Sequence, residues 1–232
     1  MEEAKPKALV VFDIITIALM LLATAMVFLY APLEAVMGNV QRVFYFHIST
    51  AWVGMIGFGV AAVAGIAYLR SGNMKWDVWG LAAVELSVVF FFIAIVTGSI
   101  WARPAWNTWW TWDPRLTSAA IVELIFAAYL LLRQGIEDPE KRARFGAVYA
   151  ILGFISVPIT FLSIRLLRTI HPVVIGGTGG GQGGFDMTPR MLQTMMFSLF
   201  TFSVLFVDLY WHRLRLGFLA SKVEELRLKL AQ

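Results

Sequence analysis

The sequence predicts an all-α integral membrane protein, a bundle of six transmembrane helices. Of its 232 residues, 59% are hydrophobic and only 15% are charged, which is far from the balance of a soluble domain. Six apolar runs are long enough to cross about 30 Å of hydrocarbon. They lie near residues 8–30, 43–69, 78–100, 114–132, 145–163 and 190–211. An even number of spans places both termini on the same side of the membrane.

Lysine and arginine are unevenly distributed between the two sides of this bundle. Thirteen of the nineteen lie at the termini or in loops on the same side as the termini, and six lie on the other side. Because basic residues concentrate in cytoplasmic loops, we expect both termini in the cytoplasm. The net charge of +4 follows mostly from these loops and indicates no nucleic-acid partner.

The first three spans show features typical of membrane helices. The first run exceeds the apolar core of a signal peptide and no small-residue cleavage site follows a short core, which predicts a retained helix. The second contains Gly57, Ala61 and Gly65 at four-residue spacing, which allows a neighbouring helix to approach closely. The third ends shortly before a tryptophan-rich segment, residues 101–115. We place that segment in the outer loop between spans three and four.

Proline residues mark boundaries in the last three spans. Asp113 is a candidate N-cap for span four, with Pro114 at the first helical position. Thr188 and Pro189 repeat this arrangement at span six. Pro158 predicts a kink in span five. A direct role of Asp113 in a ligand site is compatible with capping, and both interpretations stay open.

The chain divides into one membrane domain, residues 1–212, and a tail, residues 213–232. The connections between spans are too short to hold a second domain. Apolar residues recur in the tail at three- and four-residue steps, which predicts a short amphipathic cytoplasmic helix. These are Leu216, Leu219, Val223, Leu226 and Leu230. The glycine-rich segment 176–184 contains G-x-G-x-x-G, but no strand precedes it, so we reject nucleotide binding.

The segment "WARPAWNTWWTWDPR" at 101–115 is the most unusual part of the sequence. Its indoles are Trp101, Trp106, Trp109, Trp110 and Trp112. Indoles near a membrane surface usually act as anchors in the headgroup layer. That explanation is weaker here, because adjacent indoles such as Trp109 and Trp110 cannot share one helical face. A broad aromatic floor is what a flat, hydrophobic ligand requires.

Two histidines are predicted on the same outer side as this segment. His47 lies in the opening turn of span two, and His171 lies in the loop between spans five and six. Two imidazoles that meet from opposite sides beside an aromatic floor best match haem, whose iron takes two axial nitrogens. Arg42, Arg103 and Arg115 lie on the same side and supply cations for its propionates. The chain contains no cysteine, so thiolate metal sites and disulfides are excluded.

The same residues resemble a known family. "WARPAWNTWWTWDPRLTS" is similar to the tryptophan-rich, or WWD, signature of haem-handling proteins, and "MGNVQRVFYFHISTAW" resembles the second-helix segment of the haem exporter protein C family of cytochrome c maturation. The likeness extends to "IHP" in the last outer loop and to the six-helix length. It implies that His47 and His171 are the axial ligands of haem b, that Arg42 and Arg115 are functional, and that the tryptophan segment is the platform that holds haem.

The resemblance also implies a function. Family members act in the bacterial cytoplasmic (inner) membrane, with the haem site facing the periplasm. They deliver haem to a membrane-anchored periplasmic haem chaperone and work beside an ABC-type ATPase, a second permease-like subunit and a small helper protein. Such a protein is not an enzyme acting on its own ligand. It promotes covalent haem attachment to the partner by positioning.

Two other functions remain open on the residues alone. One is a haem-containing membrane redox protein that exchanges electrons with quinone. The chain offers only one plausible axial pair, so it lacks a second haem to relay electrons across the bilayer. The other is a permease subunit of an ABC transporter that binds no haem, whose tryptophans only anchor it in the bilayer.

Overall fold

The computed structural model describes residues 5–35, 37–172 and 187–230, which form helices joined by short connections. The glycine-rich segment 176–184 lies outside the described residues. The helices are α1 (Lys7–Ala25, continued by a π-helical turn at Met26–Tyr30), α2 (Gln41–Ser71), α3 (Lys75–Trp106), α4 (Pro114–Gln134), α5 (Pro139–Phe154), α6 (Ser156–Leu166) and α7 (Pro189–Leu230). Within these ranges there is no strand beyond one isolated bridge between Glu34 and Gly38.

In the described part of the chain, six helical stretches are long and apolar enough to cross a membrane, which confirms the predicted all-α class with six spans. α5 and α6 together make the fifth of them. They are separated at Ile155, three residues before Pro158. Pro158 has no N–H for the carbonyl of Phe154, and its ring collides with that carbonyl in a regular helix. The kink predicted in span five therefore appears as a break between two helices.

The tryptophan-rich segment is not wholly a loop, contrary to the sequence prediction. α3 continues to Trp106 and ends at Asn107, which takes a left-handed conformation with φ of 56°. Pro104 lies in the last turn of α3, where its missing N–H costs a single helical hydrogen bond. The first part of the segment is therefore the end of a helix, and only residues 107–113 form the connection to α4.

The tail is a direct continuation of the last span. α7 runs without a break from Pro189 to Leu230, so the described part of segment 213–232 is not a separate short helix. Its apolar residues Leu216, Leu219, Val223, Leu226 and Leu230 are all more than half exposed. At about 1.5 Å per residue, α7 is about 63 Å long, twice the hydrocarbon thickness.

α2 lies at the centre of the bundle, packed against α3, α5 and α7. Its small residues make this possible, as predicted from their spacing. A Cβ added at Gly57 would meet the Ser87 hydroxyl of α3, and one added at Gly65 would lie 2.9 Å from the Ala147 carbonyl oxygen of α5. Phe58 of α2 stacks on Phe126 of α4 with ring centroids 3.8 Å apart. The centre of the core therefore brings α2 and α3 into contact with α4 and α5.

Ion pairs fix the helices at the end of the bundle that carries the termini. Arg133 of α4 is buried and pairs with both carboxylate oxygens of Asp77 of α3, at 2.6 and 2.7 Å. Arg213 of α7 contacts Glu85 of α3, with Nε 2.5 Å from Oε2. Paired, hydrogen-bonded charges of this kind hold a specific helix arrangement, because a lone buried charge is strongly unfavourable.

Candidate ligand-binding site

A cavity of about 750 Å³ lies at the opposite end of the bundle, which we call the histidine end. Its size falls within the usual range for small-molecule sites, about 300–1,000 Å³. The wall is mostly apolar and comes from α2, α3, α4, α6 and α7, together with the segment at residues 171–172. Both predicted ligand histidines, His47 and His171, lie on this wall.

His47 is held against α3 by a hydrogen-bonding and a steric contact. Since α2 begins at Gln41, His47 lies in its second turn rather than the opening turn predicted. Its Nδ1 is 2.8 Å from the carbonyl oxygen of Ala94. A Cβ added at Gly98 would lie 2.8 Å from Cε1 of the imidazole, so only glycine leaves room for the ring here. With Nδ1 engaged by a carbonyl, Nε2 is the nitrogen suited to coordinate a metal.

His171 lies just beyond α6 in a buried setting. Its Nδ1 is 3.0 Å from the Pro172 carbonyl oxygen, and its backbone N–H donates to the hydroxyl of Thr169 at 3.1 Å. Burial, the positive charge of Arg115 and the nearby His47 lower the pKa of His171 to about 4. The imidazole is therefore neutral at physiological pH, the form that binds metals.

The two imidazoles lie at a distance from one another that suits a shared metal. Their ring centroids are 6.4 Å apart, and their planes are inclined by 45°. A metal–imidazole bond is about 2.0 Å and the ring centre lies about 1 Å behind the nitrogen, so two imidazoles on opposite sides of one metal have centroids about 6 Å apart. The separation of the two rings therefore fits axial ligation of one iron.

Asp113 connects the tryptophan segment to the histidine segment. Its Oδ1 accepts the backbone N–H of Leu116 at 2.9 Å, so it is the N-cap of α4 as predicted. Its Oδ2 accepts the backbone N–H of Ile170 at 3.1 Å and the hydroxyl of Thr169. Asp113 does not line the cavity, so the structure gives it a positioning contact with the residues that precede His171.

Three of the five predicted tryptophans line the cavity, namely Trp101, Trp106 and Trp110. The ring of Trp106 lies 6.3 Å from that of His171 and 5.5 Å from that of Trp101, edge to face in both cases. Trp101 donates from Nε1 to Oε1 of the buried Gln41 at 3.2 Å. These indoles form a rigid wall beside the histidines.

Trp109 and Trp112 lie outside the cavity wall. Trp109 is 58% exposed and Trp112 is 78% exposed. Trp112 still contacts the edge of Trp110, with ring centroids 5.7 Å apart. The five indoles are therefore divided between a wall and an exposed rim.

Only one of the three predicted cationic residues faces the cavity. Arg115 lines it, donates to the Thr160 carbonyl oxygen and lies over the ring of Phe161. Arg103 is exposed and donates to the backbone and side-chain oxygens of Asn107, at 2.5 and 2.9 Å. Arg42 lies over Phe28, 5.4 Å from the ring centroid. Arg103 and Arg42 therefore support the surroundings of the site and not its wall.

Comparison with known proteins places this chain in a family. The sequence model described as "Heme exporter protein C" matches residues 2–229. The chain belongs to the haem exporter protein C family. It is 31% identical over 202 residues to the haem exporter protein C of Bradyrhizobium diazoefficiens, covering 87% of this chain and 75% of the relative.

Other members of the haem exporter protein C family show the same breadth of similarity. The Escherichia coli K12 protein of that name is 31% identical over 190 residues, 80% of this chain and 74% of the relative. A putative cytochrome c biosynthesis ccmC-like mitochondrial protein of Marchantia polymorpha is 27% identical over 141 residues, covering 61% of this chain and 59% of the relative.

Several residues at this site were missed by the sequence analysis. Gly98 makes space for the His47 ring, the Ala94 carbonyl orients it, and Thr169 holds the backbone of His171. Glycine and alanine in an apolar span give no signal that separates a site from ordinary helix packing. Thr169, two residues before His171, offered a weak one, because threonine hydroxyls often bond the backbone two residues on.

Proposed function

We propose that this protein binds haem b between His47 and His171 at the outer face of the bacterial cytoplasmic membrane, and delivers it to a membrane-anchored haem chaperone for cytochrome c maturation. The family and the names of its members support haem as the transported ligand. The single observation that carries the proposal is the pair of imidazoles with centroids 6.4 Å apart on one cavity. Haem is a cargo here, and its iron takes two axial nitrogens.

The surroundings of the histidines suit the rest of the haem molecule. The indoles of Trp101, Trp106 and Trp110 give flat apolar surfaces for the macrocycle. Arg115 offers a positive charge for a propionate. Among the described residues, Nε1 of Trp110 is buried without a hydrogen-bond partner, which makes it a second donor for a carboxylate.

Delivery follows from a site that holds haem near the surface without enclosing it. The exposed rings of Trp109 and Trp112 extend the apolar rim beside the cavity, where a chaperone can reach one haem edge. The protein then contributes orientation and control of iron coordination, and the chaperone contributes the residue that forms the covalent bond. The ABC-type ATPase, the permease-like subunit and the small helper act as partners in this proposal.

The absorption spectrum of the purified protein tests this proposal. In protein from haem-replete cells, we expect a six-coordinate haem spectrum that is lost or altered in His47→Ala and in His171→Ala. His212→Ala is the matched control, because the third histidine lies near the middle of α7, does not line the cavity, and has its Nε2 2.8 Å from Oδ1 of Asp13. Its spectrum should equal that of the unaltered protein.

Two results would contradict the proposal. Full six-coordinate haem in both His47→Ala and His171→Ala would exclude the ligand pair. The second result is bound haem that quinol reduces and quinone oxidises, and that stays bound when the chaperone is added. This result would indicate a redox protein instead of a delivery protein.

A further inference from the structure

The cavity has a side wall made of two helices that belong to different parts of the bundle. α6 packs on α4 and α5, whereas α7 packs on α1, α2 and α3. Both α6 and α7 nevertheless line the cavity. α6 and α7 therefore lie on two sides of the cavity, and each packs against a different set of helices.

Four side chains at the border between α6 and α7 line the cavity and are also partly exposed. Phe161 of α6 and Leu192, Met196 and Phe200 of α7 all line the cavity. Each of them is also between 45% and 56% exposed. α6 and α7 do not pack closely on one another within the described residues, so the exposure of these side chains indicates a cavity that is open between the two helices.

The opening lies within the membrane-spanning helices. Phe161 lies in the fifth span, Pro139–Leu166, and the α7 residues lie in the sixth, Pro189–Arg227. Hydrocarbon is therefore the medium outside. Trp52 of α2 also lines the cavity and is 42% exposed, and its Nε1 donates to the Ser203 hydroxyl of α7 at 3.3 Å. This contact closes the deep end of the opening.

The water-facing side of the site is more constrained. Asp113 ties the tryptophan segment to Thr169 and Ile170 by hydrogen bonds. Trp106 contacts His171 edge to face. These contacts join the segments on the water-facing side, whereas α6 and α7 do not pack closely on one another within the described residues.

We infer that haem enters the site sideways from the bilayer, through the opening between α6 and α7. The inference rests on the proposed haem-binding function. The apolar macrocycle slides along Phe161, Met196 and Phe200, while its propionates stay near the membrane surface. Arg165, one residue before the end of α6, and Arg115 line the same cavity and receive the acidic edge.

Cross-linking across the opening tests this route, because the natural chain has no cysteine. Ile164→Cys and Leu192→Cys place one thiol on each side, near the ends of α6 and α7 at the histidine end. The double variant is joined by a flexible bis-maleimide and reconstituted into vesicles that contain haem in the bilayer. We expect haem uptake, followed by the Soret band, to slow about tenfold or more, as when a gate is held closed.

Three controls separate a closed opening from a damaged protein. Each single cysteine variant treated with the reagent should lose less of its own untreated uptake rate than the joined double variant loses. The pair Ile17→Cys and Leu205→Cys, which line a small cavity between α1 and α7, should cross-link without effect. Protein loaded with haem before cross-linking should keep its six-coordinate spectrum. Ile164→Cys with Met196→Cys gives a second pair if the first one folds poorly.

The outcomes for the route and for the function are distinct. Normal uptake by the cross-linked protein would overturn the sideways route and leave the proposed haem binding intact. Failure of the natural chain to bind haem in the same vesicles would overturn the proposed function and the route with it.

Discussion

Gly98 shows how a residue without functional groups controls a ligand. The imidazole of His47 occupies the space where any other side chain at this position would begin. The ring is also held by the Ala94 carbonyl oxygen, one turn earlier on α3. A catalytic or binding geometry is sensitive to shifts of less than 1 Å, so the surface of α3 facing α2 sets the position of Nε2.

Gly98→Ala should weaken haem binding without unfolding the protein. The new methyl group would lie 2.8 Å from Cε1 of His47, so the ring must move away from its position opposite His171. Gly80→Ala on the same helix is the matched control, because its Cβ would meet nothing closer than 3.7 Å. Haem titration should show a loss of affinity for Gly98→Ala alone, and equal affinities in the two variants would contradict this role.

The low pKa of His171 predicts how haem binding depends on pH. Burial and the charge of Arg115 lower its pKa from 6.5 to about 4, so protons compete with iron for the imidazole only in strong acid. The six-coordinate spectrum should therefore persist from pH 8 to about 5 and be lost only at pH 4 or below, because bound iron also opposes protonation. The unfolded chain binds this proton below its ordinary pKa, so the folded state loses stability as pH falls through the window from 6.5 to 4.

The contribution of Arg115 can be separated in the same titration. Arg115→Gln removes a charge that disfavours the imidazolium form, so the pKa of His171 should rise and the spectral midpoint should move to higher pH. The midpoint should stay below 6.5, since burial is the largest cause of the shift. A midpoint near 6.5 in the unaltered protein would show that His171 is not buried as described.

Among the elements, the start of α4 and the segment after α6 behave as one unit through Asp113. One carboxylate oxygen caps α4, and the other holds Thr169 and Ile170. The cap needs one side-chain acceptor oxygen close to the start of α4, whereas both contacts together need the two oxygens of a carboxylate. A serine at this position satisfies the cap but is too short to serve both, so capping and positioning can be tested apart.

Asp113→Ser and Asp113→Ala should differ in stability but agree in haem binding. Loss of the cap in Asp113→Ala should cost about 1 kcal/mol of unfolding free energy relative to Asp113→Ser. Both variants free the segment before His171, so both should bind haem more weakly than the natural chain. Thermal unfolding and haem titration measure the two effects. Natural haem affinity in Asp113→Ser would mean that Asp113 acts only as a cap.

The number and order of the spans could be predicted from sequence, whereas their ends could not. A run of about 20 apolar residues has few stable arrangements in a bilayer other than a helix. The ends are set by side chains that suit both a helix and a loop at a membrane surface. α3 thus continues through Trp101 and Trp106, and α7 continues far beyond residue 211 because its charged residues are also good helix formers.

The site was predictable in its histidines and only partly in its wall. His47 and His171 share the cavity as expected from their common side of the membrane. Sequence spacing could not show that Trp109 and Trp112 face outward, because the direction of each side chain depends on where α3 ends. It also could not separate Arg115, on the wall, from Arg42 and Arg103, which are engaged elsewhere.

At the scale of the whole molecule, charge and topology together predict the orientation. Thirteen of the nineteen lysines and arginines lie on the side of the termini, and the length of α7 carries several of them beyond the hydrocarbon. Basic residues near the ends of spans are retained in the cytoplasm. The histidine end should therefore face the periplasm, where a chaperone can receive haem.

Single cysteines on the two sides test this orientation, because the natural chain has none. Arg168→Cys lies beside the histidine end and Ser221→Cys lies on the extension of α7, both at exposed positions. In right-side-out vesicles, a membrane-impermeant maleimide should label Arg168→Cys and spare Ser221→Cys until the membrane is permeabilised. The reverse pattern would place the cavity on the cytoplasmic side. Haem would then have to cross the membrane after it leaves the histidines in order to reach a periplasmic partner. A single pair of axial ligands at one end of the bundle provides no path for that crossing.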